Sequence, residues 1–122
     1  MKKYNSEMCV HHHVSLDLQR YFNGEIIDFS CYDVGLSGLT SFEQQVLTAA
    51  RSIPWGSIIT YSQLTLMIGR PRATRAVGTA LGKNRVPVII PCHRVVSKSG
   101  PGGFSYGVDV KQRLLGIESI KV

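Results

Sequence analysis

The chain has 122 residues, 43% of them hydrophobic, and carries a formal net charge of +6. Such a chain is one small globular domain with apolar content for one core, and its composition excludes intrinsic disorder. No segment approaches the length of a membrane span, and Lys2 and Lys3 are not followed by the long apolar run of a secretory leader.

Residues 1–39 read as an N-terminal attachment to a larger unit, residues 40–122, because so short a stretch cannot bury much surface alone. Val14 to Phe22 predicts a short helix, Asn23-Gly24 a turn, and Ile26 to Tyr32 a strand. Gly35 to Gly38 reads as a linker. From Thr40 the pattern sharpens. Ser41 is expected to cap a helix from Phe42 to about Ile53, with Phe42, Val46, Leu47 and Ala50 on one face. Pro54-Trp55-Gly56 stops it. Thr60 with Gln63 three residues on forms a capping box, opening a helix through Tyr61, Leu64 and Ile68. Gly69-Arg70-Pro71 breaks the chain, and a third helix is expected from about Arg72 to Leu81, ended by Gly82.

Two short helices joined by a glycine-containing turn point to a helix-turn-helix. The second carries Arg72 and Arg75 among small residues: Ala73, Thr74, Ala76, Gly78, Thr79 and Ala80. A glycine in mid-helix costs roughly 1 kcal/mol relative to alanine. Gly78 therefore serves some close approach, either to the protein's own core or to a nucleic acid. The run Val86 to Ile90 reads as a short buried strand or extended segment, with Cys92 at a turn beyond it. Four glycines and a proline between Ser97 and Gly107 make a shaped loop, and Asp109 is placed to cap a final helix through Val110, Leu114, Leu115 and Glu118.

The charge is uneven. Residues 1–39 hold three Lys/Arg and five acids; residues 40–122 hold eleven and three, with no acid between Gln44 and Val108. A solvated face mixes both signs, so this bias points to a polyanion, with DNA or RNA ahead of an anionic membrane surface. The three cysteines, Cys9, Cys31 and Cys92, are few, odd in number and widely spaced, which fits a reducing cytosol better than a disulfide framework. Cys9 with His11, His12 and His13 has the residue types of a zinc site. Adjacent histidines on an extended segment point to opposite faces, so the run is read as solvated and no metal is expected.

Pro91-Cys92-His93-Arg94 is the centre of the chemistry. A cysteine with an imidazole and a guanidinium within two residues has neighbours that favour the thiolate, its nucleophilic form. Together with Ile59-Thr60-Tyr61-Ser62-Gln63-Leu64, Arg75-Ala76-Val77-Gly78, Asn84 and the glycine-rich loop, this segment resembles the active-site domain of the O6-alkylguanine-DNA alkyltransferases, the methylated-DNA–protein-cysteine methyltransferases. The resemblance covers about Thr40 to Glu118. Residues 14–39, through Leu18-Gln19-Arg20-Tyr21-Phe22 and Gly24, are similar to the last helix and linker of that family's N-terminal domain, most of which is missing here. In the loop, Phe104 and Ser105 stand where the family often has a Tyr-Ser pair.

The resemblance implies a mostly helical, winged-helix-like helix-turn-helix domain with short extended segments. It implies a monomeric DNA repair protein, cytoplasmic or nuclear, that transfers the alkyl group of O6-alkylguanine irreversibly to its own Cys92 and needs no cofactor. It implies that His93 deprotonates Cys92 through water, that Glu118 orients His93, and that Tyr61 assists the leaving guanine. Val95, through its carbonyl, and Ser105, through its N–H, would read the flipped base beside Phe104, and Asn84 would brace the turn carrying Cys92. Arg75 would fill the gap left by the base, with Arg72, Ala73, Thr74 and Gly78 against the DNA. The competing reading is a non-catalytic helix-turn-helix module that binds alkylated DNA or regulates transcription.

Overall fold

A computed structural model describes residues 13–121. Its elements are α1 (Val14–Phe22), α2 (Ser41–Arg51), β1 (Ile59–Thr60), α3 (Tyr61–Met67), α4 (Thr74–Leu81), a 3-10 turn (Cys92–Arg94), β2 (Val95–Val96) and α5 (Val108–Ile117). The class is the expected one, mostly helical with short extended segments. β1 and β2 pair in parallel, Ile59 opposite Val95 and Thr60 opposite Val96, which ties the start of α3 to the cysteine turn.

The first of the two helix-turn-helix candidates begins as local chemistry dictates. Thr60 Oγ1 accepts from Gln63 N at 3.1 Å, and Gln63 Oε1 accepts from Thr60 N at 2.7 Å, the reciprocal capping box predicted for α3. α4 starts later than expected. Ala73 N closes a turn onto Arg70 O at 3.0 Å, so Arg72 and Ala73 sit before the helix.

Other expectations need correction. Thr40, not Ser41, caps α2, because Glu43 lies three residues after Thr40 and completes a second capping box. Ile26 to Tyr32 forms no strand. Part of its backbone bonds to side chains rather than to a neighbouring strand: Arg51 Nη2 donates to Phe29 O at 3.0 Å and Tyr32 O at 2.6 Å, and Ser30 N donates to Asp28 Oδ1 at 2.8 Å. Val86 to Ile90 is a turn, with Val88 at φ 75° and Ile90 N bonded to Val86 O. Pro87 lacks a ladder donor, which overrides the β preference of its neighbours. Asp109 does not cap α5; Gly107, at φ 105°, does, and Asp109 lies in the first turn, where the helix dipole favours an acid.

The main core gathers Val46, Leu47 and Ala50 of α2, Leu64 of α3, Val77, Ala80 and Leu81 of α4, and Ile90, Cys92 and Val95. A second cluster joins Tyr21, Ile27 and Phe29 to Val88 and Leu114. Residues 14–29 therefore pack against the far side of the cysteine turn.

Candidate alkyl-acceptor site

The expected nucleophile lies on the wall of a cavity of about 490 Å³ that also receives Tyr61, Thr74, Arg75, Gly78, Phe104 and Ser105. Seven of the thirteen site residues picked from the sequence thus share one cleft. It lies between the exposed face of α4 and the glycine-rich loop. Arg72 and Ala73 fall outside it, on a shallow neighbouring depression with Arg70. His93, Glu118, Asn84 and Val95 are buried behind the wall.

Cys92 is the free thiol among the described residues. Burial pushes the Cys92 thiol up, opposed by a hydrogen bond from Asn84 and by the Lys111 ammonium. Asn84 Nδ2 reaches Cys92 Sγ at 3.0 Å and Ile90 O at 2.9 Å, while its Oδ1 accepts from Val86 N at 2.9 Å. One buried amide thus holds both ends of the Val86–Ile90 turn and the sulfur beyond it.

Arg94 does not face the thiol. Nε and Nη2 donate to Glu118 at 2.8 and 3.0 Å, and Nη1 donates to Ile53 O at 2.7 Å. Glu118 also accepts from Gly56 N at 3.0 Å and lies 2.6 Å from His93 Nε2. Burial pushes the Glu118 carboxyl up, but the hydrogen bonds from His93 and Arg94 outweigh it and hold it at about 2. An ionised carboxylate only accepts, so Nε2 carries the imidazole hydrogen and Nδ1 keeps a lone pair. Nδ1 is buried and makes no hydrogen bond within the protein. Burial lowers the His93 pKa, with Glu118 acting against it, so the ring is neutral at pH 7. The arrangement is a neutral base whose far nitrogen is fixed by an acid, the requirement for accepting a proton from a thiol.

Lys111 is the residue sequence reasoning missed. It is buried on α5 with Leu114 and Leu115, at i, i+3 and i+4. A lysine in phase with an apolar stripe was the available signal. Its Nζ donates to Val95 O at 2.6 Å and Gly103 O at 3.0 Å and stands 3.4 Å from Tyr61 Oη. No carboxylate pairs with it among the described residues, and burial lowers it to about 8, with Cys92 pulling the other way. The Val95 carbonyl, expected to face the base, is thus engaged by Lys111.

Tyr61 Oη donates to Gly103 O at 3.2 Å, and burial raises its pKa. A Cβ on Gly102, at φ 76°, would stand 2.7 Å from Tyr61 Oη, so glycine is required there on both counts. Gly78 differs. A Cβ there meets nothing within 4 Å, so the protein's own packing does not require this glycine.

Residues 41–120 match the family model described as "6-O-methylguanine DNA methyltransferase, DNA binding domain". The chain belongs to this family. A methylated-DNA–protein-cysteine methyltransferase of Haemophilus influenzae is 43% identical over 115 residues, covering 93% of this chain and 64% of that protein. One from Methanopyrus kandleri is 39% identical, covering 88% and 79%. The fold of Mycobacterium tuberculosis OGT, solved in complex with DNA, superimposes with a TM-score of 0.77 at 39% identity, covering 86% of this chain and 65% of that one. The chain therefore spans just under two thirds of the Haemophilus and Mycobacterium family members. The Cys9–His12 run lies outside the described residues.

Proposed function

We propose that this protein removes the alkyl group from O6-alkylguanine in duplex DNA by transferring it to Cys92, once per molecule. The observation that carries this reading is a free thiol, braced by Asn84, on the wall of a cleft that opens beside the exposed face of α4. A base stacked in a duplex cannot reach such a sulfur, so it must rotate out of the helix into the cleft. Arg75 on the rim is exposed and suited to replace it, because a planar guanidinium both stacks and pairs with an orphaned base edge.

In the transfer, the Cys92 thiolate attacks the alkyl carbon, a C–S bond forms and the C–O6 bond breaks. The bonding pair leaves with the guanine, which takes the Tyr61 hydroxyl proton at its ring, and the proton received by His93 is returned through solvent to restore Tyr61. The thiol proton passes through water to His93 Nδ1, the open lone pair left by the Glu118 bond. Tyr61 donates its hydroxyl to the departing ring, and Lys111 supports that hydroxyl while favouring the thiolate electrostatically. The product is a thioether, and nothing in the scheme restores the thiol. Ser105 and Phe104 line the base-binding side, and Arg72, Ala73, Thr74 and Gly78 face the DNA. In this reading residues 40–122 are the DNA-binding and alkyl-acceptor unit and residues 1–39 an attachment to it.

Incubation with a duplex oligonucleotide containing O6-methylguanine tests the proposal. Intact mass spectrometry should show the gain of one CH2 per molecule, mapped to the Cys92 peptide and saturating at one equivalent. An unmodified protein that still binds the duplex would establish the non-catalytic alternative.

A further inference from the structure

The His93–Glu118 pair has a third partner, from outside the region that the family model matches. Tyr21 on α1 is fully buried, and its hydroxyl donates to Glu118 Oε2 at 2.5 Å and stands 3.3 Å from His93 Nε2. Its ring is set by edge contacts with Phe22 and Phe29, at centroid distances of 5.4 and 6.0 Å, and by the cluster that includes Ile27, Val88 and Leu114. Asp17, one helical turn earlier on the same buried face, accepts from Tyr32 Oη and anchors α1 to the chain that follows it. A phenylalanine would fill the same apolar space. The hydroxyl is therefore explained only by the carboxylate it meets.

We propose that Tyr21 is a positioning residue for the proton-accepting pair: its hydroxyl bond to Glu118 fixes the carboxylate against His93 Nε2 and sets how readily the imidazole protonates. The proposal rests on the alkyl-transfer reading for its consequence in the reaction. The physical sense follows from the sharing of Glu118. Oε1 accepts from Gly56 N and Arg94 Nε; Oε2 accepts from Arg94 Nη2, His93 Nε2 and Tyr21 Oη. Each donor withdraws charge from the carboxylate. Removing the Tyr21 donor leaves a stronger acceptor for the Nε2 hydrogen, which favours imidazolium over the neutral base. The other charged or titratable groups acting on the ring are Glu118, Arg94 and Lys111. They stay in place when the hydroxyl alone is removed. The attachment before residue 41 thereby contributes a group to the chemistry.

The test is Tyr21→Phe in the full chain, with two readouts. Nitrogen-15 NMR titration of the His93 ring, without DNA, should show its protonation midpoint raised by about half to one pH unit, the differential worth of one hydrogen bond. The acid limb of the methyl-transfer rate should move up by the same amount, with the rate well above that limb little changed. A folded variant with an unmoved His93 midpoint overturns the proposal, and so does a rate lowered equally at all pH. If Tyr21→Phe does not fold, 3-fluorotyrosine at position 21 keeps the hydroxyl and makes it a stronger donor. The His93 midpoint must then fall, and an unchanged midpoint overturns the proposal. If the NMR midpoint moves while the unaltered protein transfers no methyl group, Tyr21 keeps its positioning role and the alkyl-transfer reading fails instead.

Discussion

Lys111 Nζ lies 3.4 Å from Tyr61 Oη, a contact between α5 and the start of α3 that spans fifty positions of sequence. The same ammonium lowers the Cys92 pKa against the effect of burial. It therefore acts on both ends of the proposed transfer, on the nucleophile through its charge and on the leaving group through Tyr61.

Lys111→Met keeps the length and apolar stem while deleting the charge. The variant should still fold, because no carboxylate partner is left behind, but losing the donor to the buried Val95 carbonyl should cost about 1–3 kcal/mol against the gain from removing a buried charge. Methyl transfer should slow by about 10- to 100-fold. The pH midpoint for alkylation of Cys92 by iodoacetamide should rise, since a cation that favours the thiolate has gone. An unchanged midpoint would limit Lys111 to packing.

Gly78→Ala separates protein stability from DNA fit. With open space at the Cβ position, the variant should gain up to about 1 kcal/mol of helix stability. Affinity for duplex DNA should fall, because the methyl group stands on the exposed face of α4. Thermal melting and a binding titration decide it, and full DNA affinity in a stabilised variant would show that nothing approaches Gly78.

Arg75→Ala should slow repair of duplex substrate far more than reaction with free O6-benzylguanine. Only the duplex needs a rotated nucleotide held out of its stack. Equal losses on the two substrates would place Arg75 in the chemistry or the fold.

Salt dependence measures the phosphate grip. Of the eight Lys/Arg between residues 44 and 108, Arg94 is consumed by Glu118 and Ile53, and Arg51 by Phe29 and Tyr32. Arg70, Arg72, Arg75, Lys83, Arg85 and Lys98 remain exposed. If about four meet phosphates, the log–log slope of affinity against salt should be roughly −3 to −4, and Arg72→Ala should make it shallower by about one. A flat dependence would refute the charge argument.

Acid should weaken the fold in two stages. His93 is held neutral with its pKa lowered, so the unfolded chain binds a proton that the folded chain refuses, and stability falls as pH drops below about 6.5. Glu118 is depressed to about 2, so its contribution, complete above about pH 4.3, is lost as pH falls through that lower range. Urea unfolding from pH 7.5 to 3 should show both, and His93→Gln should abolish the upper stage.

What was legible in the sequence was local. Thr60 with Gln63, the span of α1, the breaks at Gly69-Arg70-Pro71 and Gly82, and the PCHRV segment are set by residues within a few positions of one another. Their short-range hydrogen bonds and backbone preferences act before any packing. Reading Ser41 rather than Thr40 as a cap was a local error, since the Thr40–Glu43 spacing was there to be seen. The strand expected at Ile26–Tyr32 failed for another reason. Arg51, nineteen to twenty-two positions away, satisfied its carbonyls once the chain had folded. The site was decided in the same way. Glu118 meets His93 across 25 positions and Tyr21 across 97, and Lys111 reaches Val95 across 16. No periodicity encodes such pairs. They arise because α1 and α5 pack against the cysteine turn, where buried polar groups must find partners among whatever the fold brings near.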